Sequence, residues 1–145
     1  MKRNNFKILA QDWFNSADRV LEDAILLDRE GGHSDTICFH CQQAAEKYLK
    51  GFIVLNGLDI KDKFKTHDLL QLLNYCLNFN PKLKELAQGC KILTEYYVES
   101  RYPPDAPKDY PKKEAKQAIE FAENIKKKII WRKILKDKNF QKMRV

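Results

Sequence analysis

Apolar residues recur along this chain at steps of three and four, the period of a helix with one face turned inward. Phe6, Leu9, Trp13, Ala17, Val20, Ala24 and Leu27 predict a long first helix, which Gly31-Gly32 stops. A second helix is expected from Asp35, an N-cap residue type, to Asn56-Gly57. Its core face is Cys38, Cys41, Ala45, Leu49 (or Tyr48), Phe52 and Ile53. A polar linker, residues 59–65, leads to Thr66, which is placed to cap a short third helix ending near Asn78. Asn80-Pro81 opens a fourth helix, proline suiting the first helical position, with Leu83, Leu86, Ala87, Cys90, Leu93 and Tyr97 on its buried side. A residue before proline is pushed out of the α region, so Pro103 should end this helix at about Tyr102. Arg101 would then sit at a helix C-terminus, where the macrodipole favours a cation. Residues 103–110 read as loop, and Pro111 starts a fifth helix buried along Ala115, Ala118 with Ile119, Ala122, Ile125 and Ile129.

Beyond Trp131 the pattern weakens, and no β alternation of useful length occurs. Short loops imply antiparallel neighbours. The expected fold class is therefore all-α, an up-and-down bundle of four to five helices over residues 1–131, followed by a basic tail, 132–145.

Charge changes this picture only at one end. The 145 residues carry a net charge of +7, but residues 126–145 hold nine Lys or Arg against one acid, leaving residues 1–125 at −1. A basic end can hold phosphates without sequence preference, which makes a non-catalytic RNA binder one reading; a solvated, frayed tail is the other. No stretch approaches the roughly 20 apolar residues of a membrane span. Gln11, Asp12 and Asp18 break up any apolar leader after the basic N-terminus, so a cytoplasmic location is expected.

Four cysteines without a secretory leader argue for free thiols. Cys38-Phe39-His40-Cys41 contains zinc-ligand types, but no second pair completes a site, and Cys38 and Cys41 lie at i and i+3 on an apolar face. No metal or other cofactor is expected. There is no P-loop and no nucleophile–base arrangement, and the carboxylate pair that a nucleotidyltransferase carries on a strand is absent.

Two sets of polar residues remain. Gln43, Glu46, Lys47 and Lys50 share a face of the second helix, with Glu46 and Lys50 in the favourable i, i+4 order. They read either as a polar groove for a nucleotide or partner, or as an exposed ion pair worth at most ~1 kcal/mol. Tyr97, Arg101, Tyr102 and Asp105 form the other set. An arginine fork can hold a phosphate and a tyrosine can stack on a base; alternatively, Arg101 and Asp105 pair with each other or across a dimer. His67, after the expected cap, would lie in the first turn of the third helix, bonding locally or serving the site.

Three patches read together resemble the HEPN family (higher eukaryotes and prokaryotes nucleotide-binding domain). They are Cys41-Gln42-Gln43-Ala44-Ala45-Glu46-Lys47-Tyr48-Leu49-Lys50, then Thr66-His67-Asp68-Leu69, then Tyr97 with Arg101-Tyr102-Pro103 and Asp105. The resemblance spans roughly residues 10–130. It implies a four- to five-helix bundle, commonly a homodimer. Members are often encoded beside a minimal nucleotidyltransferase and act with it as toxin–antitoxin-like systems. By the same resemblance, Tyr97, Arg101, Tyr102, Asp105, Gln43, Glu46, Lys47, Lys50 and His67 are the candidate nucleotide- or partner-binding residues. Other members are ribonucleases, whose motif has a histidine four to six residues after the arginine. Here that window holds Ala106, Pro107 and Lys108, and the histidines are at 33, 40 and 67. An RNA-cleaving toxin is therefore the disfavoured alternative; whether the chain is an enzyme stays open, with the family's ribonuclease motif incomplete.

Overall fold

The computed structural model describes residues 3–58, 60, 65–97 and 109–143, with side chains for 5–58, 60, 65–97 and 109–130. Among the described residues five α-helices make up the bundle: α1 (Arg3–Arg29), α2 (Ser34–Leu55), α3 (Leu69–Leu77), α4 (Ala87–Thr94) and α5 (Lys112–Met143). A 3-10 segment, Pro81–Leu86, leads into α4, and no strand occurs among the described residues.

Helix ends follow the chemistry the chain offers, shifted by a residue or two. α1 ends where Gly31 turns left-handed (φ 76°) and the Gly32 amide reaches the Leu27 carbonyl at 2.6 Å. Gly57 (φ 90°) does the same after α2. Asp35 is not the cap of α2; His33 occupies that position, and Asp35 lies in the first turn with its side chain on the Thr36 amide. Asp68, not Thr66, caps α3 by accepting from the Leu70 amide at 3.0 Å. Thr66 Oγ1 instead accepts from the Asp68 amide, bending the chain into the cap. His67 therefore precedes α3 rather than lying within its first turn.

Side-chain contacts give the directions. Phe14 lies against Gly51, and Asp18 against Tyr48, so α1 and α2 run antiparallel. Asp28 meets Lys116 and Asp18 meets Lys126, so α5 is antiparallel to α1 as well. The 3-10 segment and α4 run opposite to α5, since Glu85 pairs with Lys128, Gly89 packs under Phe121, and Tyr96 reaches Glu114.

α2 is the central helix, touching α1, α3, α4 and α5. Its expected core face is buried, and so are Gln42, Ala44, Glu46, Lys50 and Gly51 on its other sides. The α5 line Ala115, Ala118, Ile119, Ala122, Ile125 and Ile129 is buried as the sequence predicts.

The core line of α1 is turned slightly from expectation: Ala17 and Ala24 are buried as expected, while Phe6, Trp13, Val20 and Leu27 pack against the core partly buried. Ala10, Phe14, Ala17, Leu21 and Ala24 form its core line, and Leu9 is exposed. The rotation has a cause on the partner helix: Gly51 lets the Phe14 ring lie on the α2 backbone, where a Cβ would come within 2.6 Å of the ring. α4 also departs, ending at Thr94 rather than near Tyr102. Thr94 Oγ1 donates to the Cys90 carbonyl (2.8 Å) and accepts from the Leu69 amide (3.1 Å), tying the last turn of α4 to the start of α3. The chain then turns, so Tyr96 rather than Tyr97 is buried, its hydroxyl donating to Glu114. The predicted helix end at Arg101–Pro103 lies outside the described residues. α5 does not stop at Trp131 but continues to Met143.

Candidate functional site

Glu46 is the centre of the polar cluster. Being on the central helix, it is covered by its neighbours instead of facing water, and its side chain is 8% exposed. Such a carboxylate needs charge and hydrogen bonds around it. Lys50, one turn on and equally covered, donates to Oε2 at 3.0 Å. Oε1 accepts from His67 Nδ1 at 2.8 Å and from Gln42 Nε2 at 3.3 Å. Of the two readings of this face, the exposed ion pair is ruled out: Glu46 and Lys50 are an interior pair.

Gln42 sets where His67 can be. It is fully buried, and its amide also donates to the His67 carbonyl at 3.2 Å, while its own oxygen accepts from Gln43 at 2.7 Å. One glutamine thus holds both the histidine backbone and the carboxylate that its ring meets. A carboxylate accepts only, so the ring donates from Nδ1. Tyr97 closes the other side: its ring stacks on His67 with centroids 3.9 Å apart and planes 18° from parallel.

The structure therefore brings together Gln43, Glu46, Lys50, His67 and Tyr97, from three separate stretches of sequence. Lys47 stands beside them, with its ammonium 5.7 Å from the centroid of Trp13; Lys50 lies 5.8 Å from the same ring. Arg101, Tyr102 and Asp105 lie outside the described residues. Two members were missed from sequence. Gln42 lies one turn before Glu46, and that i, i+4, i+8 row of Gln42, Glu46 and Lys50 was the signal for it. Trp13 gave no such signal, since it reads as one more apolar position of α1.

A second cluster lies between α1 and α5. Tyr48, fully buried, donates to Asp18 Oδ1 at 2.5 Å, and Lys126 reaches the same oxygen at 3.1 Å. Burial, then the bond to Asp18, pushes the Tyr48 phenol far above its ordinary range. Asp18 and Lys126 also line an open groove of about 330 Å³, together with Leu21, Ile25 and Ile130. The cysteine motif makes no site: Cys38 and Cys41 are fully buried, and His40 donates Nδ1 to the Thr36 carbonyl. Among the described residues no group of three His, Cys, Asp or Glu could hold a metal ion, and no helix is long and apolar enough to cross a membrane.

Known proteins match this chain over most of its length. A family model described as the HEPN domain matches residues 10–134. A Methanocaldococcus jannaschii protein named "Putative toxin MJ1304" is 26% identical over 140 residues, covering 86% of this chain and 89% of that protein. The crystal structure of TT1696 from Thermus thermophilus is 30% identical with a TM-score of 0.65, over 81% of this chain and 92% of its own. That of ST0689, described as an archaeal HEPN homologue, is 28% identical with a TM-score of 0.68, over 91% and 98%.

Proposed function

The chain belongs to the HEPN family, and from that premise we propose that it is a nucleotide- or partner-binding protein working with a separately encoded minimal nucleotidyltransferase. In this reading it is the toxin-like member of a two-component pair, consistent with the name of the archaeal relative. The observation that carries the reading is the stack of Tyr97 on His67, because it joins the start of the Tyr97–Asp105 motif to the Glu46–Lys50 face of α2. Arg101 is four residues along the chain from Tyr97, a span of at most about 14 Å. One recognition surface would then combine an arginine fork for phosphate, aromatic faces for a base or a partner side chain, and the lysines beside Trp13.

The test has two arms. Isothermal titration with ATP and with GTP, and co-purification with the product of a neighbouring gene, should give binding in at least one. Blanks in both would end the proposal. We also expect a homodimer, read out by light scattering; the exposed Ile8, Leu9, Ile25 and Leu26 of α1 are apolar surface that a second copy would cover.

The imidazole held by a carboxylate favours a second reading, since a general acid–base is what RNA cleavage requires. Incubation of RNA with intact protein and with Arg101→Ala decides it: cleavage by the intact chain alone would establish a ribonuclease, and intact RNA in both would remove one.

A further inference from the structure

We infer that two copies of this chain pair by exchanging the basic ends of their last helices, each end lying along the α1–α5 groove of the other copy. This rests on the homodimer expected above, and it adds which surfaces meet and why.

Register decides what the basic end can reach. Lys116 is level with Asp28 and Lys126 with Asp18, so each step toward the end of α5 is a step toward the start of α1. α5 continues as one helix to Met143, which carries residues 132–143 past the level of Asp12 and away from the rest of α1. Residues 132–145 hold Lys or Arg at 132, 133, 136, 138, 142 and 144 against Asp137 alone, six minus one, a net +5. The start of α1 offers this end like charge, since Lys2, Arg3 and Lys7 precede the first acid, Asp12.

The groove between α1 and α5 has the opposite character. Leu21, Ile25 and Ile130 give it apolar walls, and Glu22 and Glu123 are among its lining residues. Both glutamates are exposed, and neither has an ion pair among the described residues. Asp18 and Lys126 cancel by pairing, which leaves Lys127 as the base of the groove. On the exposed side of α1 next to it, Asp12 and Asp23 stand against Arg19. Four acids against two bases leave this face at −2. The stretches 59–64 and 98–108 each carry two acids and two bases, so they do not shift the balance.

A basic helix fits such a groove through both charge and apolar contact, and residues 132–143 include Ile134 and Leu135 for the second. The acidic face of its own chain lies behind it, so the face it can reach is a second copy's. A two-fold axis level with Trp131 lays residues 132–143 of one copy along 130–119 of the other, the part of α5 that walls the groove. The same rotation seats the other end in return, so the assembly closes at two copies. It also covers Ile25 and Leu26, which are exposed in the single chain. Nucleic acid would answer the charge of the basic end but leave this apolar surface open. Each contact is a helical segment about 18 Å long. An interface of that size makes a weak dimer that responds to concentration and to salt.

Charge reversal in the full-length chain tests the exchange. Light scattering of the intact protein from about 10 μM to 1 mM should show a monomer–dimer equilibrium. One variant reverses the groove, Glu22→Lys with Glu123→Lys, and another reverses the basic end, Lys136→Glu with Lys138→Glu. Each alone should weaken the dimer by about tenfold or more, with helix content by circular dichroism unchanged. Mixing the two variants should restore dimers, because in a mixed pair both contacts are again between opposite charges.

Dimer loss in each variant without recovery on mixing overturns the inference. A dimer that ignores both reversals also overturns it and leaves a homodimer built through another face. RNA retention on a filter that the reversed end abolishes, with the dimer unchanged, assigns that end to nucleic acid instead. An intact chain that stays monomeric throughout removes the inference together with the homodimer, while nucleotide binding and partner capture stand or fall on their own tests.

Discussion

Glu46–Lys50 and Asp18–Lys126 join the same two functional groups at nearly the same distance, 3.0 and 3.1 Å. The first pair is 8% exposed on both sides; in the second, the lysine is 42% and the aspartate 34% exposed. Chemistry and distance are matched; the first pair is closed within one turn of α2, the second joins α1 to α5 in the open, and burial is the larger contrast. In water-poor surroundings both the attraction and the cost of stripping water from the ions grow, so a buried pair adds little when whole and costs much when half is removed. The open pair is screened, and each ion can fall back on solvent. Glu46 also directs other groups: it fixes His67, and through His67 the Tyr97 ring. Among the described residues Asp18 holds the Tyr48 hydroxyl and Lys126.

The largest effect should come from breaking the closed pair. Lys50→Ala strands the Glu46 charge and should lower stability by about 3–5 kcal/mol in urea denaturation. A loss under about 1 kcal/mol would mean that water reaches the carboxylate and the cluster is not closed. Gln42→Ala comes next. It removes three hydrogen bonds of a fully buried amide and should cost about 1–3 kcal/mol. It should also loosen His67, which an NMR readout of the ring would detect; a loss with an unchanged His67 signal would limit Gln42 to packing.

Tyr48 sharpens the comparison from the open side, through pH. Burial and Asp18 hold its phenol above the ordinary 10.0, and burial with Glu114 does the same for Tyr96. The folded chain therefore keeps protons that the unfolded chain releases. Their stability is fully present below pH 10 and falls as pH rises past it. The Cys90 thiol, pushed by burial from 9.0 to about 12, starts the same decline from pH 9. Tyr48→Phe should cost about 1 kcal/mol at pH 8 and show a shallower loss between pH 10 and 11 than the intact protein. Parallel curves would show that Tyr48 is not shielded in the folded state.

The sequence was most legible where a helix buries a single face. The α5 line from Ala115 to Ile129 needed only period and residue size, and the structure buries all of it. It was least legible where the fold brings segments together. Whether Glu46 and Lys50 form a groove or a surface pair stayed open because periodicity describes one helix at a time and cannot show that α2 touches four other helices. On α1, Phe14 was left out of the expected core line for a similar reason, since the receptive Gly51 is on another helix. α4 ended early through a hydroxyl bridge between Thr94 and Leu69, a tertiary contact with no local signature. Of the candidate site, the residue types and the stretches carrying them could be read; the bond from His67 to Glu46 and the fully buried Gln42 could not.

The smallest effect should be at Lys126. Lys126→Ala removes the ammonium from Asp18 but leaves the Tyr48 hydroxyl on that carboxylate and water at its open side. The expected loss is within about 1 kcal/mol, and it should shrink further in 1 M salt, where the screening length is only about 3 Å. The Lys50→Ala loss should change little over the same range of salt, because ions do not enter the closed cluster. Denaturation of both variants at low and high salt reads this directly. If the two losses were similar in size, or if salt eroded both alike, burial would not be what distinguishes the pairs, and the rigid support assigned to His67 would have to come from the Gln42 amide, the Asp68 cap and the Tyr97 stack.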